Sequence, residues 1–458
     1  MNDHPQIDKS INIQRKIGLI TATSIVVANM IGAGIFTTSG IMAGYLPGPV
    51  WVLACWILGG LLAMSGALCY AELATRMPEE GGEYIYLKTL YHPLLGFLTG
   101  WISFFVGFSA PIAASALGSV TYIFQGLHQN IPGFNPAHLQ LYIKVSGAII
   151  IIIFTVIHYL GVRYGSVVQN ILTAFKILII SGLILLGFLT THTWSNLLSI
   201  YNQGFKGMDF GSSMMLVMFA YSGWNASAYI AGEIKNPQRN LPLSLILGTS
   251  LVILIYLILN LFIFMVVPYT DLAGKITVFE TALQLVLGEW IGRMLSIIIG
   301  LALLSSLSAF IILGSRVYFA MSRDHLFFSF ASKIHPRYEV PSRSIVIQGS
   351  MAVVLLLIGT FDQLLIYLGF ALSIFPWLAV FGIFIARKRG LNARGMVATW
   401  GYPVTPLFYL CGSLALMILA CINRPVESLA ALLTVLGGIP VYYLWIKWKY
   451  PDTESSRV

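Results

Sequence analysis

Charge is what this chain has least of. Only 9% of its 458 residues are Asp, Glu, Lys or Arg, against 57% hydrophobic, where a soluble globular protein carries about 25% charged residues. That shortage excludes an ordinary soluble domain. Cysteine is also sparse. Cys55, Cys69, Cys411 and Cys421 lie in apolar surroundings without metal or redox spacing, so they read as packing residues. The N-terminal stretch MNDHPQIDKSINIQRK is polar and lacks a cleavable signal pattern. A membrane enzyme would need His, Asp, Glu or Cys converging within its spans. None converge, so neither an enzyme nor a cofactor or metal is expected. The net charge of +9 does not point to nucleic acid, because the basic residues fall at alternate helix ends, the positive-inside pattern.

What the chain has is apolar blocks of about 20 residues, each long enough to cross a bilayer. The expectation is an all-α polytopic membrane protein with twelve transmembrane helices: 17–44, 49–73, 94–124, 139–160, 165–190, 210–234, 243–267, 290–321, 344–359, 364–385, 403–421 and 429–448. An amphipathic linker, 269–288, precedes the eighth, and the basic, proline-punctuated 322–343 reads as a cytoplasmic loop. A cytoplasmic N-terminus leaves five of the 26 Lys and Arg residues (Lys144, Lys206, Lys275, Arg293, Arg424) outside and one, Lys176, within the membrane. That excess, about four to one, sets the orientation, and an even span number returns the C-terminus to the cytoplasm.

Two spans are interrupted. The first, IVVANMIGAGIFTTSG, runs into Gly32-Ala33-Gly34, and each helical glycine costs about 1 kcal/mol against alanine. The sixth carries Ser222-Gly223 at mid-span, then Trp224 and Asn225. Either alone reads equally as a kinked or closely packed helix. Matching interruptions that open two consecutive five-span blocks point instead to an inverted-repeat transporter with its site at the bilayer midplane. The half-helix beginning near Gly34 offers unpaired N–H groups and a positive dipole end, suited to a carboxylate. The half-helix ending near Met30, with carbonyls around Phe219, Ala220 and Ser222, suits an ammonium group. The acidic residues, Glu72 and Glu233 included, read as lying at span ends or in loops, so a net-neutral substrate is expected. A channel fits matched interruptions less well than a carrier that occludes its cargo.

These motifs resemble the amino acid–polyamine–organocation transporters, most of all the L-type amino acid transporter branch. The likeness rests on MIGAGIF (30–36), YAELATRMPEEGGEYIYL (70–87), VQNILTAFK (168–176), FAYSGWN (219–225) and GEIKNPQRNLP (232–242). It implies a LeuT-type five-plus-five inverted repeat with broken helices 1 and 6, repeats 17–190 and 209–386, two extra helices within 400–449, and cytoplasmic tails 1–16 and 450–458. By position, it implies carboxylate binding by the backbone of Gly32, Ala33 and Gly34. Amine binding falls on carbonyls at Met30, Phe219, Ala220 and Ser222, beside Gly223. Phe219 matches the gate over bound substrate. Asn225 stands where relatives that take cationic substrates can carry an acid. Ala33 replaces a common serine, and Ser222 a common glycine. The loop 125–138 lacks the cysteine that bonds a heavy chain in animal relatives, so a stand-alone monomer in the cell membrane is expected.

A lysine within a span costs roughly 2.5–3.5 kcal/mol and is a functional candidate; the alternative for Lys176 is snorkelling to an interface. The resemblance puts its ammonium group where sodium-coupled relatives hold Na⁺, bridging the first and eighth spans, with Ser305 and Ser308 as neighbours. A fixed charge there implies sodium-independent exchange of neutral amino acids. A proton taken up and released there would instead give proton-coupled symport. Small substrates are expected from Ser222 and the run SAPIAASALG; large neutral ones or an amino acid derivative stay open. His128, His138, His158 and His192 read as solvated, and Trp51, Trp56, Trp101, Trp445 and Trp448 as interfacial anchors. Trp224 reads as lining the pathway or as packing.

Overall fold

The computed structural model describes residues 14–32, 34–127, 138–190, 197, 207–275, 278–358, 361–391, 395–423 and 425–449. They form α1 (Leu19–Met30), α2 (Gly34–Ala43), α3 (Pro49–Arg76), α4 (Glu83–Leu90), α5 (Pro93–Ile102), α6 (Ser109–Leu127), α7 (Leu139–Tyr159), α8 (Val162–Thr190), α9 (Gly207–Ala220), α10 (Pro237–Val266), α11 (Tyr269–Leu272), α12 (Val278–Leu287), α13 (Glu289–Arg323), α14 (Ser342–Ile358), α15 (Phe361–Lys388), α16 (Val404–Asn423) and α17 (Pro425–Lys449). Among the described residues the only extended pairings are two isolated bridges, Ile17 with Ile234 and Glu80 with Ile230. In lipid the backbone must satisfy its own polar groups, which leaves helices as the material for an apolar chain like this one.

Nine helical stretches among the described residues are long and apolar enough to cross a membrane. The shorter apolar helices α9 and α14, together with α15, occupy the places expected of the sixth, ninth and tenth spans. Burial sorts the bundle into layers. The stretch Pro93–Leu127 is 89% buried over its most apolar window and Met294–Arg323 72%, whereas Val404–Asn423 and Ser428–Lys449 reach only 22%. The first two form the centre and the last pair lies at the periphery. Leu414, Ile418, Ile422, Leu429 and Leu433 on that pair are exposed as aliphatic surface, which suits lipid. Between α5 and α6, Ser103–Gly107 forms a π-helical turn, whose Ser103 carbonyl accepts both from Phe108 N at 3.0 Å and from Tyr318 Oη at 2.9 Å.

Both expected interruptions are present. The first helix stops at Met30 and restarts at Gly34. The sixth differs from expectation. No second α-helix follows the break at Tyr221–Asn225; the chain proceeds through 3₁₀ turns at Ala226–Tyr229 and Ala231–Glu233. Ile234 then pairs with Ile17, with Ile17 N donating to Glu233 O and Lys235 N to Ile17 O, each at 2.9 Å.

Several readings of single residues change. Trp56 is not an interfacial anchor. It is fully buried, donates to Ser39 Oγ at 3.1 Å and packs edge-on against Tyr221 and Tyr256. His158 is not solvated; its Nε2 lies 2.9 Å from Ser308 Oγ in the core. Trp224 is packing, wedged against Tyr70 and Tyr409. Cys55 and Cys69 are buried, but Cys411 and Cys421 are exposed. Among the described residues no cluster could hold a metal. His128 and His192 lie outside the described residues.

Buried ion pairs hold one end of the bundle. Glu72 accepts from Arg76 at 2.7 Å, Arg387 at 2.6 Å, and both the backbone N and the hydroxyl of Thr399 at 2.7 Å. This joins α3 to α15 and to the loop before α16. Glu233 accepts from Arg316 Nε at 2.6 Å, joining the segment after the second break to α13. Each carboxylate thus sits at a span end, as expected, but buried and paired, as a desolvated charge requires.

Candidate substrate and coupling site

The two breaks meet face to face. Gly223 has φ of 101°, and a Cβ there would fall 2.3 Å from Asn29 Nδ2. A Cβ on Gly34 would lie 3.0 Å from Ala220 Cα. A side chain at Gly34 would crowd the end of α9, and glycine takes the Gly223 turn without strain. Tyr256, from mid-α10, ties the breaks together, its hydroxyl lying 2.7 Å from Met30 O and 3.0 Å from Ala220 O. Asn29 Oδ1 is buried at this junction with no hydrogen-bond partner.

Of the residues expected to bind substrate, Met30, Gly34, Ala220 and Gly223 lie at this junction; Phe219, Ser222 and Asn225 flank it along the second break, Gly32 lies in the first break, and Ala33 lies outside the described residues. Phe219, Ser222 and Gly223 are partly exposed, and nothing crowds the Cα of Gly32. The carbonyls are less free than the sequence suggests. Met30 O accepts from Tyr256 and from Gly32 N, and Phe219 O accepts from Ser222 N at 3.1 Å.

Lys176 does not snorkel. It is fully buried, and its Nζ donates to Ile31 O at 2.5 Å and Ser306 Oγ at 3.0 Å, with Ala28 O at 3.5 Å. Ser306 Oγ in turn lies 2.8 Å from Ala28 O and 3.0 Å from Ile31 O. These are carbonyls that α1 leaves unpaired where it stops. The lysine therefore bridges the first break to α13, but through Ser306 rather than Ser305 or Ser308. Ser305 Oγ bonds back to Ala302 O at 2.9 Å, and Ser308 faces His158. Asn170, Thr173 and Lys176 form one stripe of α8, and all three reach α1, at Thr21, Ser24 and Ile31.

The expectation that no acid approaches the breaks fails at Glu83. This residue opens α4, is buried, and accepts from Asn225 Nδ2 at 2.6 Å and Tyr70 Oη at 2.7 Å, with Tyr229 Oη on its other oxygen. Ser306, Tyr256 and Glu83 were all missed. The signal for Tyr256 was a hydroxyl-bearing ring inside an apolar span. For Glu83 it was an acid directly after two glycines, which is where a chain can turn inward.

A bundle of apolar helices, two of them interrupted where they meet and one tied down by an internal ammonium group, is the build of a membrane carrier. Residues 17–445 match the amino acid permease family, and the chain belongs to it. It is an amino acid transporter and not an enzyme. It is similar to the serine/threonine exchanger SteT of Bacillus subtilis (29% identity, covering 94% of this chain and 97% of that protein). It is also similar to the human b(0,+)-type amino acid transporter 1 (30%, 97% and 91%) and the human large neutral amino acids transporter small subunit 2 (28%, 96% and 82%).

Proposed function

We propose that the protein exchanges neutral amino acids across the plasma membrane by sodium-independent antiport, as a monomer with both termini in the cytoplasm. Twelve spans form a five-plus-five inverted repeat of the LeuT type, 17–190 and 209–386, followed by two further helices within 400–449. Substrate carboxylate meets the N–H groups of Gly32, Ala33 and Gly34 at the positive end of α2. Substrate ammonium meets the carbonyl edge of α1 and α9 at Met30, Phe219, Ala220 and Ser222, where Asn29 Oδ1 offers an unused acceptor. Gly223 allows the close approach, Asn225 keeps the pocket wall neutral, and Phe219 gates it.

One observation carries the reading: Lys176 Nζ between Ile31 O and Ser306 Oγ. A cation covalently part of the chain fills the place between the first break and α13, so none need be recruited from solution. Exchange by the SteT relative supports antiport, and the neutral-substrate relatives support the substrate class. The experiment is counterflow. Labelled neutral amino acid should accumulate transiently and saturably in proteoliposomes preloaded with unlabelled substrate, and single-channel currents in place of counterflow would refute a carrier.

A second reading keeps the fold and substrate but makes Lys176 a proton carrier. It is favoured by the lysine's surroundings, which are carbonyl and hydroxyl oxygens and no carboxylate among the described residues. Substrate-driven acidification of the proteoliposome lumen would select it. Transport of an amino acid derivative is distinguished by screening ligands for a rise in melting temperature.

A further inference from the structure

Four glutamates are buried among the described residues, and three face a cation. Glu72 faces Arg76 and Arg387, Glu233 faces Arg316, and Glu80 has Arg323 at 3.8 Å. Glu83 faces none. Its Oε1 accepts from Tyr70 Oη and Asn225 Nδ2, and its Oε2 contacts Tyr229 Oη. The other groups around it are neutral as well: Tyr86 on α4, whose hydroxyl is buried without a partner, and Tyr409 on α16. The cations on neighbouring elements are engaged elsewhere, Lys88 with Asp324, Arg316 with Glu233, Arg323 with Glu79 and Glu80, and Arg387 with Glu72.

An ionised carboxylate without a counter-charge is costly to bury, and neutral donors offset that cost only in part. Burial pushes the Glu83 carboxyl above its ordinary value of 4.5, against the pull of the hydrogen bonds from Tyr229, Tyr70 and Asn225. The residue is also well placed to act. Gly81 and Gly82, at φ of 116° and 56°, turn the chain inward. Gly81 N donates to Tyr229 O at 2.9 Å, and a Cβ on Gly82 would meet the Tyr229 ring at 2.7 Å. Glu83 is thereby clamped to residues 225–229, the segment that leaves the second break.

We propose that Glu83 is carried as the neutral carboxylic acid, its proton lying between Oε2 and Tyr229 Oη, and that losing this proton frees segment 225–229 and arrests transport. The proton comes from water and returns to it. Glu83 touches no substrate; it positions Asn225, and to that extent the inference rests on placing substrate binding at the second break. It also keeps the acid beside Asn225 uncharged, so the preference for net-neutral substrates does not depend on acids being absent.

Infrared spectroscopy of the full-length protein in lipid nanodiscs tests the protonation state without any substrate. The wild-type spectrum at neutral pH should contain a carboxylic-acid carbonyl band that is missing from Glu83→Gln. The band should move in Tyr229→Phe, which loses the hydroxyl partner. Identical spectra for wild type and both variants would overturn the proposal, and if Glu83→Gln fails to fold, the comparison with Tyr229→Phe decides. The transport arm is the ratio of exchange rates at about pH 5.5 and about pH 8.5, expected to be about tenfold or more in wild type and near one in Glu83→Gln. An equal ratio in both overturns the functional half even where the band is present. Because the band needs no substrate, failure of the proton site and failure of the transport reading are separable.

Discussion

The two breaks carry opposite chemistry. At the first, a buried cation reads backbone: Lys176 ends on the carbonyl of Ile31, which α1 cannot use. At the second, a buried acid reads side chains, with Glu83 collecting Asn225, Tyr70 and Tyr229. Neither has an opposite charge beside it among the described residues, whereas Glu72 and Glu233 at the bundle's end are paired with arginines. A paired charge acts as a fixed clasp. A titratable group without a counter-charge is held by dipoles that move when the helix ends move, which suits the parts of a carrier that must change partners. The first break thus answers to a cation built into the chain, and the second to a neutral acid that gains a charge when its proton leaves.

Substitution of Lys176 should do the most damage. Lys176→Ala removes the charge from the α1 carbonyls, and a hydrogen bond to a charged group is worth about 1.5–3 kcal/mol. Exchange in proteoliposomes should fall about tenfold to about 100-fold, with relative rates among substrates unchanged; a change in selectivity instead would move Lys176 into the pocket. Gly223→Ala tests whether the breaks need to touch. A methyl 2.3 Å from Asn29 Nδ2 should cost about 1–3 kcal/mol, read as a lowered melting temperature. Tyr256→Phe takes one hydroxyl from both breaks and should cost about 1 kcal/mol, again in thermal stability. Ser306→Ala should slow exchange by a few-fold, about 1 kcal/mol, and more than Ser305→Ala, whose hydroxyl bonds only its own helix.

The second break carries a pH dependence of known sign. Glu83 is raised above its ordinary value of 4.5, so the folded protein binds more protons than the unfolded chain. Stability is then greatest below that value and declines as pH rises, until the folded group ionises. Melting temperature should therefore fall with pH more steeply in wild type than in Glu83→Gln.

Much of this was readable from the letters. Gly32 and Gly223 interrupt runs where helix would otherwise continue, and Lys176 is a charge in an apolar block. Other features depend on rotation, which spacing does not resolve. Ser305, Ser306 and Ser308 lie within one turn of α13, and only packing decides that Ser306 faces α1. Trp56 and His158 carry residue types that suit a membrane interface and a core equally well, because each joins an apolar ring to a polar nitrogen. Glu83 lies in a stretch that reads as a polar loop, yet residues 81–87 are buried, since paired glycines fold that loop back under the second break.

Lys176 is read as supplying the cation that sodium would otherwise supply. The direct test is exchange of a labelled neutral amino acid in proteoliposomes with Na⁺ replaced by choline on both sides. The rate should be the same in both media. A rate that vanishes without Na⁺ would contradict it.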